Sequence, residues 1–481
     1  MTTDLHVEHV PAQFVWQKKD WLAVAALSLI GLTLLLLRLN SPSWLVFDEH
    51  WYARDGCWYV LASRPQCDLT REILVDKNVE EFLRDYNEVS PEQPPLGKWL
   101  IGIGIWIFGL NGRPARLASV GCGAATITLI YFLAYKLFRS RIAAIVSAGL
   151  LMFDFLHFVQ ARLAMLDIFV SFFGVAAYVF SVLDREQILE RGNGKVAESR
   201  LWDRKWRFAA GLSCGAAAAS KLSGWFVVLG IFLLITGWEI HSRRSYGLRL
   251  ALFRTFREEN GSIGLALVGL PIVVYAASYT GRLEGTIFAW PWATNSWFRA
   301  MLHHQFFMIQ YHSTALNARV NPATLFLPML AKPMLYWSQP AGDLVRGVLV
   351  FGNPFIWWPA FATLLVIAWR RFHARKIDPP EGVVLSGFFV NYAVWILMTW
   401  ARPQVMLHYF TPVLPFTSLM VGYLIAIISP KLRPVAAVAI LAMAGLIFAF
   451  YYPVLTAIPI SAHALETYTN VANVITGHYN H

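Results

Sequence analysis

Charge is scarce in this chain of 481 residues: only 14% of it is Asp, Glu, Lys or Arg, against about 25% in an ordinary soluble domain. Together with 57% hydrophobic residues, that shortage excludes a soluble enzyme, a disordered protein and a fibrous one. Alternating segments of about ten residues, the mark of a transmembrane β-barrel, are missing. So are internal repeats and low-complexity tracts. The four cysteines show no Cys/His spacing that resembles a zinc site. No run of small residues follows the first apolar stretch to make a cleavage site, so that stretch is read as a retained span. What the chain has is apolar and aromatic bulk: 57% hydrophobic residues, with 20 Trp, 18 Tyr and 33 Phe. Many apolar runs approach the roughly 20 residues that cross a bilayer. The expected class is an all-α polytopic membrane protein.

The net charge of +11 fits this class. More than half of the 40 Lys and Arg lie in the N-terminal segment and in short loops between apolar runs. These loops are Lys136–Arg141, Arg185–Arg207, Arg243–Arg257, Arg370–Lys376 and Lys431–Arg433. Positive loops mark the cytoplasmic side, so the charge is a topology signal and nucleic acid is not an expected partner. Spans are expected near 21–38, 115–136, 142–157, 163–183, 207–220, 222–239, 262–280, 348–369, 383–401, 408–429 and 433–453. The apolar segment 97–110 is short and glycine-rich. Placing it at the interface brings all the basic loops to one side, which gives about 11 transmembrane helices. The N-terminus (1–20) is then cytoplasmic, and 21–455 forms one transmembrane domain. Outer loops cover 39–114 and 281–347, and 456–481 is an extracytoplasmic tail. The stretch 207–239 could be one tilted helix, but Gly224 and the polar Ser220-Lys221-Leu222-Ser223 favour a break. Interfacial helices are expected in both outer loops.

Candidate chemistry gathers at the expected outer face. Asp48 and Glu49 follow the first span beside aromatic neighbours; either they cap a helix in solvent, or an apolar wall makes one a base of raised pKa. Lys98 opens segment 97–110 after Pro94-Pro95, as a snorkelling anchor or a phosphate contact. Arg162 and Asp167 flank a turn and are not an i,i+4 pair. Asp167 lies early in a span, where ionisable groups are functional candidates by default; Asp154 is a weaker case. Lys221 edges the small-residue helix Gly211–Ser220, whose composition allows close packing. Arg402, His408 and Tyr409 sit at a late outer turn, and Arg113 and Arg116 add charge at the same face. One carboxylate pair with several cations suits an anionic lipid phosphate: cations hold the leaving phosphate and a carboxylate deprotonates an acceptor. Cys122 and Cys214 read as packed small hydrophobes. Cys57 and Cys67 share an outer loop, where an oxidising exterior permits a disulfide.

These motifs, in order, resemble the protein O-mannosyltransferase family of the GT-C glycosyltransferase superfamily. The resemblance rests on Phe47-Asp48-Glu49, Pro94-Pro95-Leu96-Gly97-Lys98, Arg116 to Gly121, Gln160 to Asp167, and Gly211 to Gly215 with Ser220-Lys221. Gly352-Asn353-Pro354 with Trp357-Trp358, and Arg402 with His408-Tyr409-Phe410, complete it. It implies the GT-C fold and a bacterial-type, phospholipid carrier-dependent enzyme in the cell membrane. The implied donor is polyprenyl (or dolichyl) phosphate mannose and the acceptor a Ser or Thr hydroxyl of an exported protein, with inversion and no required cofactor. A divalent cation at the carboxylates stays open. By the same resemblance Asp48 is the catalytic base and Glu49 its partner, while Arg116, Arg162, Lys221, Arg402 and, more weakly, Lys98 are donor-phosphate candidates. The chain departs from the family at Gln93, where His is usual, and at His312-Ser313, where His-Pro is expected. Its second outer loop is too short for the β-trefoil domain of eukaryotic relatives. A related branch transfers aminoarabinose to lipid A and shares the acidic residue and the Pro-Pro-Leu stretch. Two alternatives follow: transfer of another lipid-linked sugar to a lipid or cell-wall acceptor, and lipid-sugar transport. Transporters favour midplane sites and repeats, which this sequence lacks.

Overall fold

The computed structural model describes residues 16–43, 45–61, 67, 92–109, 112–191, 201–279, 297–314, 333–374, 379–398 and 406–476. In chain order the first helices are α1 (Lys18–Leu36), α2 (Glu49–Val60), α3 (Leu96–Phe108), α4 (Gly112–Phe138), α5 (Arg141–Met152), α6 (Phe155–Arg162), α7 (Asp167–Arg191), α8 (Lys205–Ser220) and α9 (Gly224–Ser242). α10 (Leu248–Ala277) runs through a π-helical turn at Gly264–Gly269. α11 (Trp297–Thr314) precedes a hairpin of β1 (Met334–Ala341) and β2 (Leu344–Val350). The chain then forms α12 (Pro354–Ala374), α13 (Pro379–Met398), α14 (Leu407–Ile427, opening with a 3-10 turn), α15 (Arg433–Leu455) and α16 (Ala462–Ile475).

Eight of the described helices are long and apolar enough to cross a membrane, and nine crossings result when the bent pair α5–α6 counts as one. The fold is therefore that of a multi-pass membrane protein. Each of the eleven expected spans coincides with a helical segment. Of the two outside the set of nine, α8 has 16 residues, and α12 carries three Trp and two Arg in its 21 residues. The break expected near Ser220–Ser223 separates α8 from α9. α3 has 13 residues; at about 1.5 Å per residue it falls short of the roughly 30 Å hydrocarbon core.

Two features were not expected. The second outer loop contains a β-hairpin besides a helix. The segment after residue 455 is not a bare tail: Ile460 pairs with Val345 of β2, and α16 packs on that strand.

One end of the bundle is tied by ion pairs among the basic loops. Arg204 and Arg207 of the α8 region are buried and reach Asp184, Glu239 and Glu259 on α7, α9 and α10. Asp20 at the start of α1 pairs with Arg141 at the start of α5 at 2.6 Å. The opposite end carries the candidate residues. There α2 and α3 cross at Gly56 and Gly102, where a Cβ on either glycine would collide with backbone of the other helix. Small residues work similarly at Gly211, whose added Cβ would overlap the Ala266 carbonyl on α10.

Candidate active site

α1 ends where the site begins. Its last carbonyls lack intrahelical donors, and Arg162 at the end of α6 supplies them. The guanidinium donates to the carbonyls of Leu35, Leu37 and Arg38 and, at 3.3 Å, to that of Leu34. A cation there also suits the negative end of the helix dipole. The chain then turns through Phe47, which takes a left-handed φ of 54°, and Asp48 becomes the residue just before α2.

The two adjacent carboxylates have different surroundings. Glu49 is fully buried and accepts from Arg116 Nε and Nη2, both at 2.7 Å. It also accepts the backbone N–H of Val46 at 2.9 Å and of Ala164 at 2.8 Å. Arg116 donates in addition to the Leu39 and Pro42 carbonyls. This strut joins the loop before α2 to α4 and to the turn after α6. Asp48, by contrast, is only partly buried. Desolvation by the surrounding protein pushes its carboxyl up to about 6. Lys221 opposes that shift, Asp167 and Glu92 add to it, and the Tyr52 hydroxyl hydrogen-bonds the carboxylate form. The Tyr52 phenol is held well above its ordinary range, mainly by burial, so it remains a donor.

Lys221 lies in the break between α8 and α9, and its Nζ bonds both oxygens of Asp167, at 2.8 and 2.7 Å. Asp167 opens α7, where the helix dipole favours a carboxylate. The ammonium also lies 4.9 Å from the centroid of the Tyr409 ring, a cation–π arrangement. Gln93 accepts the N–H of Leu222 at 3.1 Å, which ties the Pro94-Pro95 segment to the Lys221 loop. His312 bonds the neighbouring Glu92 carbonyl at 2.9 Å. The structure thus brings Asp48, Asp167, Lys221 and Tyr409 together. His408 stands edge-on to Phe47, with ring centroids 5.4 Å apart.

Other candidates sit apart from this group. Lys98 is buried and pairs with Asp55 at 2.7 Å, linking α3 to α2. Cys57 on α2 is disulfide-bonded to Cys67, while Cys122 and Cys214 are free. Asp154 caps α6 by accepting the His157 N–H and also accepts from Trp357 Nε1 at 2.6 Å. Asn353 donates to the carbonyls of Phe153 and Ala444. The Gly-Asn-Pro and Trp-Trp motifs therefore brace the 60° bend between α5 and α6. Arg402 lies outside the described residues, and Arg113 is exposed. Among the described residues no three of His, Cys, Asp or Glu gather as a metal site.

Sequence reasoning did not single out Tyr336. It stands on β1 and stacks on Phe47 at 4.5 Å with 10° between the planes. Its hydroxyl accepts from Gln160 Nε2 at 3.0 Å. One Tyr among 18, in a segment with no clear strand pattern, gives no signal of its own.

Comparisons with known proteins bear on the family and the fold. Residues 78–281 match the family model described as dolichyl-phosphate-mannose-protein mannosyltransferase. A polyprenol-phosphate-mannose–protein mannosyltransferase of Mycolicibacterium smegmatis is 28% identical over 494 aligned positions, covering 92% of this chain and 90% of the relative. One chain of the S. cerevisiae Pmt1–Pmt2 complex bound to the sugar donor superposes with a TM-score of 0.71 at 14% identity, over 95% of this chain and 92% of that one. ArnT from Cupriavidus metallidurans, bound to undecaprenyl phosphate, gives 0.55 at 17% identity over 96% and 70%. These likenesses show the GT-C fold. With the matched family model, the relative aligned over nearly its whole length and the ordered motifs from Asp48 to Tyr409, the chain is similar to the protein O-mannosyltransferases and shares the GT-C fold.

Proposed function

We propose that the chain is an inverting glycosyltransferase that moves mannose from polyprenyl phosphate mannose to Ser and Thr hydroxyls of exported proteins, with Asp48 as general base. The contrast within the acidic pair supports the base role. Glu49 is enclosed by four donors, whereas Asp48 keeps exposed surface and an acidity weakened to about 6. A base poised near the working pH is the most effective. In the step, the Asp48 carboxylate takes the proton of the acceptor hydroxyl. The oxygen attacks C1 of mannose from the face opposite the phosphate. The C1–O bond breaks, and polyprenyl phosphate leaves with the electron pair.

Lys221 and Arg402 are the proposed phosphate contacts; a donor phosphate would share the Lys221 ammonium with Asp167. We assign Arg116, Arg162 and Lys98 to holding the loops around the site, since their partners are Glu49, the carbonyls at the end of α1 and Asp55, whereas Lys221 pairs with Asp167 within the group around Asp48. The active site is assigned to the extracytoplasmic face of the cell membrane and the N-terminus to the cytoplasm, on the distribution of basic loops.

The test is transfer by purified protein in lipid, with polyprenyl phosphate mannose and a Ser/Thr-rich peptide. Mannosyl-peptide is the expected product. Release of polyprenyl phosphate only with lipid or glycan acceptors would overturn the protein acceptor. No consumption of the donor would overturn the mannose donor.

A further inference from the structure

We propose that Tyr336 is a positioning residue for the transfer: the β1–β2 hairpin delivers its ring onto Phe47, clamps that residue in a left-handed backbone conformation and so fixes the orientation of Asp48. The proposal rests on the reading of Asp48 as the base.

Three independent features of the chain meet at this contact. The first is the hairpin register. Leu335 pairs with Leu349 and Trp337 with Val348, so Tyr336 is an extra residue in β1 with no partner on β2. Such a bulge bends a strand and re-aims a side chain, and bulges are over-represented beside active sites. The second is the seat of the ring. Tyr336 is buried, stacks in parallel on Phe47, and its hydroxyl accepts from Gln160 on α6. His408 closes the seat, edge-on to both rings at 5.4 and 6.4 Å. Phe47 is thus held between the hairpin and α14, and the Tyr336 ring that stacks on it is tied to α6.

The third feature is Phe47 itself. A bulky residue at positive φ is a genuine outlier, which persists only where its surroundings over-determine it. Ordinary core packing would place an aromatic here without that backbone. The left-handed turn directly precedes Asp48, and it sets the direction in which the chain enters α2. Without the Tyr336 ring, Phe47 is free to relax toward negative φ, and the carboxylate one residue on moves with it.

The experiment compares Tyr336→Leu, Tyr336→Phe, Phe47→Gly and the double variant Tyr336→Leu/Phe47→Gly in lipid. It reads kcat, KM for donor and peptide, and the thermal midpoint. Tyr336→Leu is expected to lower kcat about 10- to 100-fold, the scale of a displacement of about 1 Å at a reacting group. Both KM values should stay within about threefold, because binding contacts are untouched. Tyr336→Phe keeps the stack and should restore most of kcat. Glycine accepts positive φ without strain and has no ring to clamp, so Tyr336→Leu should cause no further loss in the Phe47→Gly background.

Wild-type kcat in Tyr336→Leu, a rise in KM alone, or multiplying losses in the double variant would each overturn the clamp. If Tyr336→Leu does not fold, Tyr336→Met, which keeps bulk without a plane, is read by the same criteria. Asp48→Asn is run beside them. Turnover retained there removes the base reading itself; an inactive Asp48→Asn with a wild-type-like Tyr336→Leu removes only the clamp.

Discussion

Replacing Glu49 by Gln should unfold the site without any direct effect on chemistry, and this separates it from its neighbour Asp48. The carboxylate holds the Arg116 guanidinium through two bonds of 2.7 Å, and both residues are buried. The amide would keep the shape and lose the charge. Arg116 would then be a buried cation that keeps the Leu39 and Pro42 carbonyls but has lost this carboxylate. Removing one partner of a buried pair costs about 3–5 kcal/mol, or roughly two to three and a half decades in the equilibrium constant. The readout is the thermal midpoint of the purified protein, with donor binding measured well below it. Glu49→Gln should melt far earlier than wild type, and Asp48→Asn near wild type. Glu49→Leu/Arg116→Leu should be more stable than either single variant, because an apolar replacement of a buried pair is often neutral. A Glu49→Gln variant that melts like wild type, or strictly additive losses in the double variant, would refute the strut.

Other predictions are simpler to check. As the proposed base Asp48 would work ionised, and burial raises its carboxyl to about 6, so kcat/KM should fall as pH drops through about 6 and level off above it. The same shift means the folded state favours protonated Asp48; its contribution to stability is fullest below the unfolded value near 3.8 and is lost as pH rises through about 6. A pH–rate profile with no acid limb there would contradict the assignment. Non-reducing mass spectrometry should recover a Cys57–Cys67 peptide pair, and Cys57→Ser should lower the thermal midpoint, since closing a loop of separation 10 stabilises by about 2–3 kcal/mol. Transfer should continue in EDTA, as the family resemblance implies; loss of turnover that Mg²⁺ or Mn²⁺ restores would establish a cation at the carboxylates.

Much of the architecture was legible because apolar length and basic loops are local signals. The first span, the break at Lys221 and the short segment 97–110 all follow from composition within about 20 residues. So did the candidate cysteine pair. The roles of the cations were less legible, because a sequence shows that a residue is charged and not what it bonds. Arg116 meets Glu49 across 67 positions, Arg162 meets carbonyls of α1, and Lys98 meets Asp55. Each reads as a phosphate contact until its partner is known. The hairpin was missed because Pro340 and Gly342 interrupt its pattern. The motif residues Asn353 and Trp357 carried a family signal, yet their described contacts brace a helix bend.

The central claim is that Asp48 removes the acceptor proton after the donor is bound. The most direct measurement is single-turnover transfer by wild type and Asp48→Asn in the same lipid, with donor binding measured in parallel. The account predicts unchanged donor affinity and thermal midpoint in Asp48→Asn, with mannosyl-peptide formation lost. Transfer by Asp48→Asn at a rate near wild type would contradict it.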